Sequence, residues 1–151
     1  MLRSTLFKVH DELLGIKTSE AAAAKRFVSK CVQSSMEERA AIRDQLFIKL
    51  VEHVYRYVPY YKATMDKMGM LPGDVKGIDD VKHFPLLTKD IIRSEKDRMI
   101  SSHYNKDNLF ASYSGGTTGE PIPSLLNKEA YYTEYYSYYQ GLEWMGWRPG
   151  K

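Results

Sequence analysis

The sequence predicts an α/β fold in which a helical amino-terminal region is followed by the start of a sheet. Two observations lead to this prediction: a long amphipathic segment after Ser35, and a glycine-rich segment between two short extended runs. Residues 1–105 are predicted to be mainly helical, and residues 106–151 to form a strand, a loop, a strand and a helix. The 151 residues are 43% hydrophobic and 27% charged, which is typical of a folded globular chain.

The amino-terminal helices are predicted from their caps and their apolar spacing. Ser35 and Glu38 have the spacing of a capping box, in which each side chain bonds the backbone N–H of the other residue. The helix that follows is expected to end near Val58, because Pro59 disfavours helical geometry at the residue before it. Its predicted core-facing stripe is Ile42, Leu46, Leu50, Val54 and Tyr57. Residues 1–30 are also predicted to be helical, from the spacing of Leu6, Val9, Leu13 and Leu14 and from the alanines at 21–24.

The second half of the chain alternates turn formers with short regular elements. Thr88 is predicted to cap a helix, residues 109–113 to form a strand, and residues 121–126 to be extended. Asn127 is predicted to cap a helix that carries six of the 12 tyrosines. The spacing predicts that one stripe of that helix packs in the core against the sheet. The alternative is a binding surface, because aromatic faces can also stack on sugars or nucleic-acid bases. The stripe consists of Tyr131, Tyr135, Tyr138, Leu142 and Met145.

Charge and cysteine content narrow the class of protein. The formal net charge is +3, from 22 basic and 19 acidic residues spread along the chain, so no basic field that could hold nucleic acid is predicted. The single Cys31 cannot form an internal disulfide, which fits a reducing compartment. No signal peptide or transmembrane segment is recognised, so a cytoplasmic location is expected. No metal site is predicted from the four histidines, His10, His53, His83 and His103, because none has metal-ligand spacing.

Residues 114–121 carry the chemistry that the sequence predicts. This segment, Ser-Gly-Gly-Thr-Thr-Gly-Glu-Pro, places three glycines and three hydroxyls after a strand. Glycines let backbone N–H groups approach an anion and turn towards it, and hydroxyls add donors of adjustable direction. Hydrogen bonds to charged groups contribute about 1.5–3 kcal/mol each, so several of them could hold a nucleotide phosphate. The predicted phosphate ligands are the hydroxyls of Ser114, Thr117 and Thr118 and the amides of Gly115, Gly116 and Gly119.

Other interpretations of this segment fit its residues less well. A Walker loop needs Gly-Lys followed by Ser or Thr, whereas Glu120 follows Gly119 here. The Ser-Gly-Gly sequence around Ser114 lacks the nucleophile-elbow pattern, so no catalytic residue is predicted. A flexible turn between two strands is the simplest alternative, and the order of the residues is what argues against it.

That order resembles the Thr-Ser-Gly-Ser/Thr-Thr-Gly-x-Pro phosphate loop of AMP-forming adenylating enzymes, which include acyl-CoA synthetases, luciferases and peptide-synthetase adenylation domains. Three further segments resemble the phenylacetate–CoA ligase and CapK-like branch of that superfamily. Residues 58–61, Val-Pro-Tyr-Tyr, are similar to its Val-Pro-Tyr/Phe-Tyr signature, and residues 84–90 to its Leu-Pro-x-Leu-Thr-Lys-x-Asp segment. Residues 147–150, Trp-Arg-Pro-Gly, are similar to the Arg-Pro-Gly-Asp turn that follows the loop's helix. Gly115 and Glu120 depart from the pattern, which often has Ser and Lys there.

The resemblance implies that residues 1–151 are the amino-terminal part of the large domain of an adenylate-forming enzyme, without the downstream remainder and the carboxy-terminal domain. It implies an enzyme that activates a small carboxylate with ATP and Mg²⁺ and then transfers the acyl group to coenzyme A. The alternative is a catalytically inactive short relic that acts as a binding module. In both cases the chain alone is expected to be inactive. Because a truncated sheet exposes unpaired edges, the chain is also expected to self-associate or to require the missing part.

Overall fold

A computed structural model describes residues 18–113 and 123–147. These residues are mostly helical and include a small two-stranded sheet, which is compatible with the predicted α/β class. The chain divides into two compact units, one of residues 1–33 and 126–151 and the other of residues 34–125. The elements are α1 (Ser19–Gln33), α2 (Met36–Tyr57), α3 (Pro59–Met68), α4 (Lys89–Ser94), β1 (Phe110–Tyr113), β2 (Pro123–Leu126) and α5 (Lys128–Trp144), with short 3₁₀ helices at Pro72–Asp74, Ile78–His83, Lys96–Met99 and Lys106–Asn108.

The first unit is built on the packing of α1 against α5. The side chain of Thr18 caps α1 by accepting a hydrogen bond from the backbone N–H of Ala21 at 3.2 Å. The side chain of Asn127, as predicted, caps α5 by accepting from the backbone N–H of Ala130 at 2.7 Å. Small residues on α1 allow the close approach of a tyrosine from α5. The buried side chains of this unit are Ala21, Ala24, Val28 and Tyr136.

The predicted core stripe of α5 is correct only in part, because Tyr135 packs against the core of this unit and other members of the stripe do not. Tyr138 and Met145, which the spacing assigned to the core, are 64% and 76% exposed. The buried side chain is Tyr136, and Tyr132 and Tyr135 pack against the same cluster. Tyrosines occupy several faces of this helix, so spacing alone could not select one, and the position of α1 determines which face is buried.

The second unit has its core between α2 and α3. The capping box of α2 is confirmed, because Ser35 Oγ accepts from the Glu38 N–H at 3.2 Å and Glu38 accepts from the Ser35 N–H at 2.7 Å. Met65 of α3 is completely buried and packs with Val51 and Val75. Burying a side chain of this size contributes roughly 1.5–3 kcal/mol. Partly buried side chains surround this cluster: Phe47, Ile48, Tyr55, Met70 and Phe84.

The predicted core stripe of α2 is also correct only in part, because Ile42, Val54 and Tyr57 are half-buried. Leu46 and Leu50 of that stripe are 47% and 54% exposed, whereas Val51 is buried. The residues that pack are displaced by about one position from the predicted stripe, because α2 carries apolar side chains on two adjoining faces. The segments after α2 select one of these faces. On the other face, Leu46 and Leu50 remain exposed.

Pro59 ends α2 and begins α3. Helix α2 ends at Tyr57, as predicted, and Val58 has extended geometry with φ −115° and ψ 105°. Pro59 is then the first residue of α3, a position where the missing N–H of proline carries no cost. Gly69 ends α3 with φ 66°, a left-handed conformation that favours glycine. Pro59 therefore separates two consecutive helices, and Met65 of the second helix packs against Val51 of the first.

The two strands pair in a small sheet. Strand β1 lies within the segment predicted to be extended, and β2 begins at Pro123, where proline is tolerated because it opens the strand. Ser124 Oγ donates to the carbonyl oxygen of Ser112 at 3.4 Å. The strand predictions are therefore confirmed. Among residues 18–113 and 123–147, none of the helices combines the length and the apolar character that crossing a membrane requires.

Candidate functional site

The predicted phosphate-binding residues fall between the two paired strands. Ser114, Gly115, Gly116, Thr117, Thr118 and Gly119 lie outside the described residues, so their role remains a prediction. The described chain reaches them through β1 and resumes with β2, and these strands pair with each other. A phosphate loop needs fixed ends, because its donors must be oriented before the ligand binds. The pairing of β1 with β2 supplies such ends.

Tyr113 is an exposed aromatic residue directly before this segment. It is the last residue of β1, and it is 66% exposed. An exposed ring beside a phosphate site can stack on a planar group of the ligand, because aromatic faces pack on flat surfaces. The sequence signal for this residue was its place next to Ser114, but its exposure could be read only from the structure.

Two histidines that are distant in sequence pack together with two tyrosines in a cluster of aromatic rings. We call His53, Tyr57, His103 and Tyr104 the ring cluster. The ring centroids of His53 and His103 are 5.6 Å apart, and those of Tyr57 and His103 are 4.8 Å apart. His53 also lies 5.0 Å from Tyr57 and 5.7 Å from Tyr104. Sequence analysis did not connect these histidines, because 49 positions separate them.

Hydrogen bonds fix the backbone beside the ring cluster. His53 Nε2 and Ser101 Oγ lie 2.9 Å apart, and the backbone N–H of His103 donates to Ser101 Oγ at 3.3 Å. The backbone N–H of Ser102 donates to the carbonyl oxygen of Tyr57 at 2.8 Å, and Ser102 Oγ donates to the same oxygen at 3.0 Å. These bonds satisfy a carbonyl at the carboxyl end of α2 that has no partner within the helix.

The groove beside α2 and α3 is lined by three basic side chains and one acidic side chain. It is open and has a volume of about 750 Å³. Lys62 Nζ donates to Asp66 at 2.7 Å and Tyr55 donates to it at 2.9 Å, and these bonds lower the pKa of the Asp66 carboxyl. Burial, with a smaller effect of His103, lowers the pKa of His53. The groove is lined by Lys49, Glu52, His53, Tyr55, Arg56, Tyr57, Lys62 and Pro72.

His83, Asp80 and Cys31 lie outside the groove and the ring cluster. His83 Nε2 lies 3.9 Å from Asp80 Oδ1 on one short helix. The Asp80 carboxylate accepts from the Lys76 N–H at 2.7 Å, and this bond is the largest cause that lowers its pKa. Cys31 is half-buried. Within residues 18–113 and 123–147, no group of three histidine, cysteine, aspartate or glutamate side chains is arranged to hold a metal ion.

Comparison with known proteins gives partial matches to ligases. No protein-family model matches the chain. It is 27% identical over 85 residues to a phenylacetate–coenzyme A ligase from Thermus thermophilus, a match that covers 56% of this chain and 19% of the ligase. It is 28% identical over 88 residues to the corresponding ligase from Escherichia coli, covering 58% and 20%. A long-chain-fatty-acid–CoA ligase from Xenopus laevis is 26% identical over 116 residues, covering 77% and 15%.

These similarities support a relationship to adenylate-forming ligases. They agree with the resemblance of residues 114–119 to the phosphate loop of that superfamily. The matched part spans about a fifth of the length of the phenylacetate–CoA ligases. The alignments therefore cover only a portion of each ligase.

Proposed function

We propose that residues 114–119 bind the polyphosphate of ATP, and that the chain is the amino-terminal part of an AMP-forming, carboxylate-activating ligase of the phenylacetate–CoA ligase or CapK-like kind. The observation that carries this proposal is the Ser-Gly-Gly-Thr-Thr-Gly segment between the paired strands β1 and β2. Partial similarity to three phenylacetate–CoA ligases also supports it.

The donors of the segment suit an anion whose charge increases during the reaction. The hydroxyls of Ser114, Thr117 and Thr118 and the amides of the three glycines all donate hydrogen bonds. When a carboxylate attacks the α-phosphate, negative charge develops on the leaving pyrophosphate. Donors that are already oriented stabilise that charge without further reorganisation. The segment would therefore both position ATP and lower the barrier to adenylate formation.

The same donor set does not suit Mg²⁺. This cation prefers oxygen ligands, especially carboxylates and phosphates, whereas N–H groups repel it. We infer that Mg²⁺ would be held by the phosphate oxygens of ATP and by residues of the remainder of the ligase. Bound there, it would neutralise part of the phosphate charge. The carboxylate substrate, coenzyme A and the adenine-binding residues are likewise assigned to the remainder, and the cytoplasm is the proposed location.

A binding module without catalysis is the second candidate function. The observation in its favour is that each unit exposes large apolar side chains, Leu46 and Leu50 on α2 in one unit and Tyr138 on α5 in the other. Patches of this kind usually contact another protein surface. The partner proposed for both candidates is the remainder of the ligase or a second copy of the chain. The two candidates differ in whether the chain binds polyphosphate.

Calorimetric titrations of the chain with three ligands test the proposed function. We expect saturable binding of pyrophosphate and of ATP in the presence of Mg²⁺, and no binding of adenosine, because the proposed contacts are all with phosphate. Raised salt should weaken the binding, since screening reduces the attraction between the segment and the anion. Adenosine binding as tightly as ATP, or failure of both phosphate ligands to bind, would contradict the proposal and favour the binding module.

A further inference from the structure

The ring cluster connects α2 to the chain that leads into the sheet. His53 and Tyr57 belong to the last turns of α2, whereas His103 and Tyr104 follow the short helix Lys96–Met99. Only residues 105–109 separate Tyr104 from the start of β1. The position of residues 101–104 therefore affects where the strand β1 begins.

The attachment of residues 101–104 to α2 depends on a few polar contacts and on ring packing. Ser102 makes two hydrogen bonds to the carbonyl oxygen of Tyr57, at 2.8 and 3.0 Å. Ser101 Oγ lies between the His53 ring and the backbone of His103, at 2.9 and 3.3 Å. The buried core residues Val51, Met65 and Val75 belong to a different cluster. The ring packing adds to these polar contacts in holding the segment on α2.

We propose that the ring cluster is a pH-dependent clamp, which holds residues 101–104 on the carboxyl end of α2 while His53 is neutral and releases them when His53 takes up a proton. Histidine is the side chain whose charge changes most readily between pH 5 and 8. A proton on His53 would place a positive charge inside a packed cluster, 5.6 Å from the second imidazole ring and partly shielded from water, so the closed cluster disfavours the protonated form of His53.

The groups that face His53 give little compensation for added positive charge. On its own helix, Glu52 is the one carboxylate among the residues that line the groove, and Lys62, which faces the groove from α3, is already bonded to Asp66. Residues 101–104 contribute a second imidazole and a phenol rather than an acid. The charged and titratable groups around His53 are Lys49, Glu52, Tyr55, Arg56 and Tyr57 from α2, Lys62 from α3, and His103 and Tyr104 from residues 101–104.

The direction of the pH effect follows from proton linkage. Burial lowers the pKa of His53 below its ordinary value of 6.5 when the cluster is closed, so the open form binds the proton more tightly. The closed form is therefore fully favoured above pH 6.5. It loses stability as the pH falls from 6.5 through the lowered pKa of His53. The clamp opens on acidification, without global unfolding of the α2 and α3 core.

Amide hydrogen exchange and histidine titration by NMR test this proposal on the intact chain. The amide of Ser102 donates to Tyr57 in the closed form, so its protection factor should fall between pH 7.5 and pH 5, while that of the core residue Val51 is retained. In His53→Gln, which can still hydrogen-bond Ser101 but cannot take up a proton, the protection of Ser102 should become much less dependent on pH. The ring signal of His53 should titrate below that of an ordinary histidine.

His83→Gln is the matched control, because His83 is an exposed histidine of the same unit that lies beside Asp80 and outside the ring cluster. This variant should show the same pH dependence at Ser102 as the unaltered chain. If the protection of Ser102 is constant over this pH range in the unaltered chain, the proposal is overturned. A fall of equal size in His53→Gln would overturn it as well. If that variant does not fold, an ordinary or raised pKa for His53 in the unaltered chain is sufficient to reject the clamp.

Discussion

Changing Thr117 and Thr118 together to alanine is expected to abolish measurable binding of pyrophosphate and ATP to the chain. A hydrogen bond to a charged group contributes about 1.5–3 kcal/mol, so each lost hydroxyl should weaken binding by about ten- to a hundredfold. Because both hydroxyls are proposed to bind the same polyphosphate, the two losses of affinity should combine in the double variant. Calorimetric titration of the double variant measures the effect directly.

The matched control removes two hydroxyls from a different place. Thr133 and Ser137 lie on α5, where alanine is a favourable residue, so changing both to alanine should leave the fold intact. Phosphate affinity should remain that of the unaltered chain. Equal loss in both double variants would indicate a general effect on folding, and unchanged affinity in Thr117→Ala/Thr118→Ala would argue that these hydroxyls do not contact the ligand.

Met65→Ala is expected to lower the free energy of unfolding of the unit of residues 34–125 by about 2–5 kcal/mol, the usual range for removing a large buried side chain. Met65 is the largest fully buried side chain among the described residues, and it packs with Val51 and Val75. The cavity left by alanine cannot be filled by water without further cost. Urea denaturation followed by far-UV circular dichroism measures the change.

Met68→Ala is the control for this substitution. Met68 lies on the same helix and is 42% exposed, so its loss should change the free energy of unfolding by about 0.5 kcal/mol or less. Both tryptophans, Trp144 and Trp147, belong to the other unit. Their fluorescence therefore follows that unit separately during the same titration. A loss of similar size from Met65→Ala and Met68→Ala would show that Met65 does not form the core of α2 and α3.

Local signals predicted the ends of helices more successfully than their packing. The capping box at Ser35 and the caps at Thr88 and Asn127 depend on side chains that bond backbone groups three residues away, and all three are present in the structure. The end of α2 before Pro59 is local for the same reason. Such features need no information from the rest of the chain, so they can be predicted from the sequence.

The buried faces of α2 and α5 could not be predicted in this way. Each helix has apolar or aromatic side chains on more than one face, and the face that is buried depends on which segment packs there. For α5 that segment is α1, more than 90 positions earlier in the chain, and it selects Tyr136 over Tyr138. For α2 it is α3 together with residues around Val75, which select Val51 over Leu50. Periodicity indicates that a helix is amphipathic but does not identify its partner.

Of the two candidate sites, one could be predicted from the sequence and the other could not. The order of residues 114–119 and the strands on either side were recognised from the sequence, and the structure confirms the strands. The ring cluster was not recognised, because its two histidines come together only through the fold. No spacing rule joins His53 to His103. Contacts of this kind depend on how α2 and the chain before β1 are arranged in space.

The central claim is that residues 114–119 hold the polyphosphate of a nucleotide, and a residue-resolved NMR titration with ATP and Mg²⁺ tests it most directly. We predict that the backbone amide signals of Gly115, Gly116 and Gly119 and of their neighbours in this segment shift saturably, while those of the α2 and α3 core around Met65 do not. If the amide signals of residues 114–119 stay unmoved at ATP concentrations that saturate any other site, the claim is contradicted.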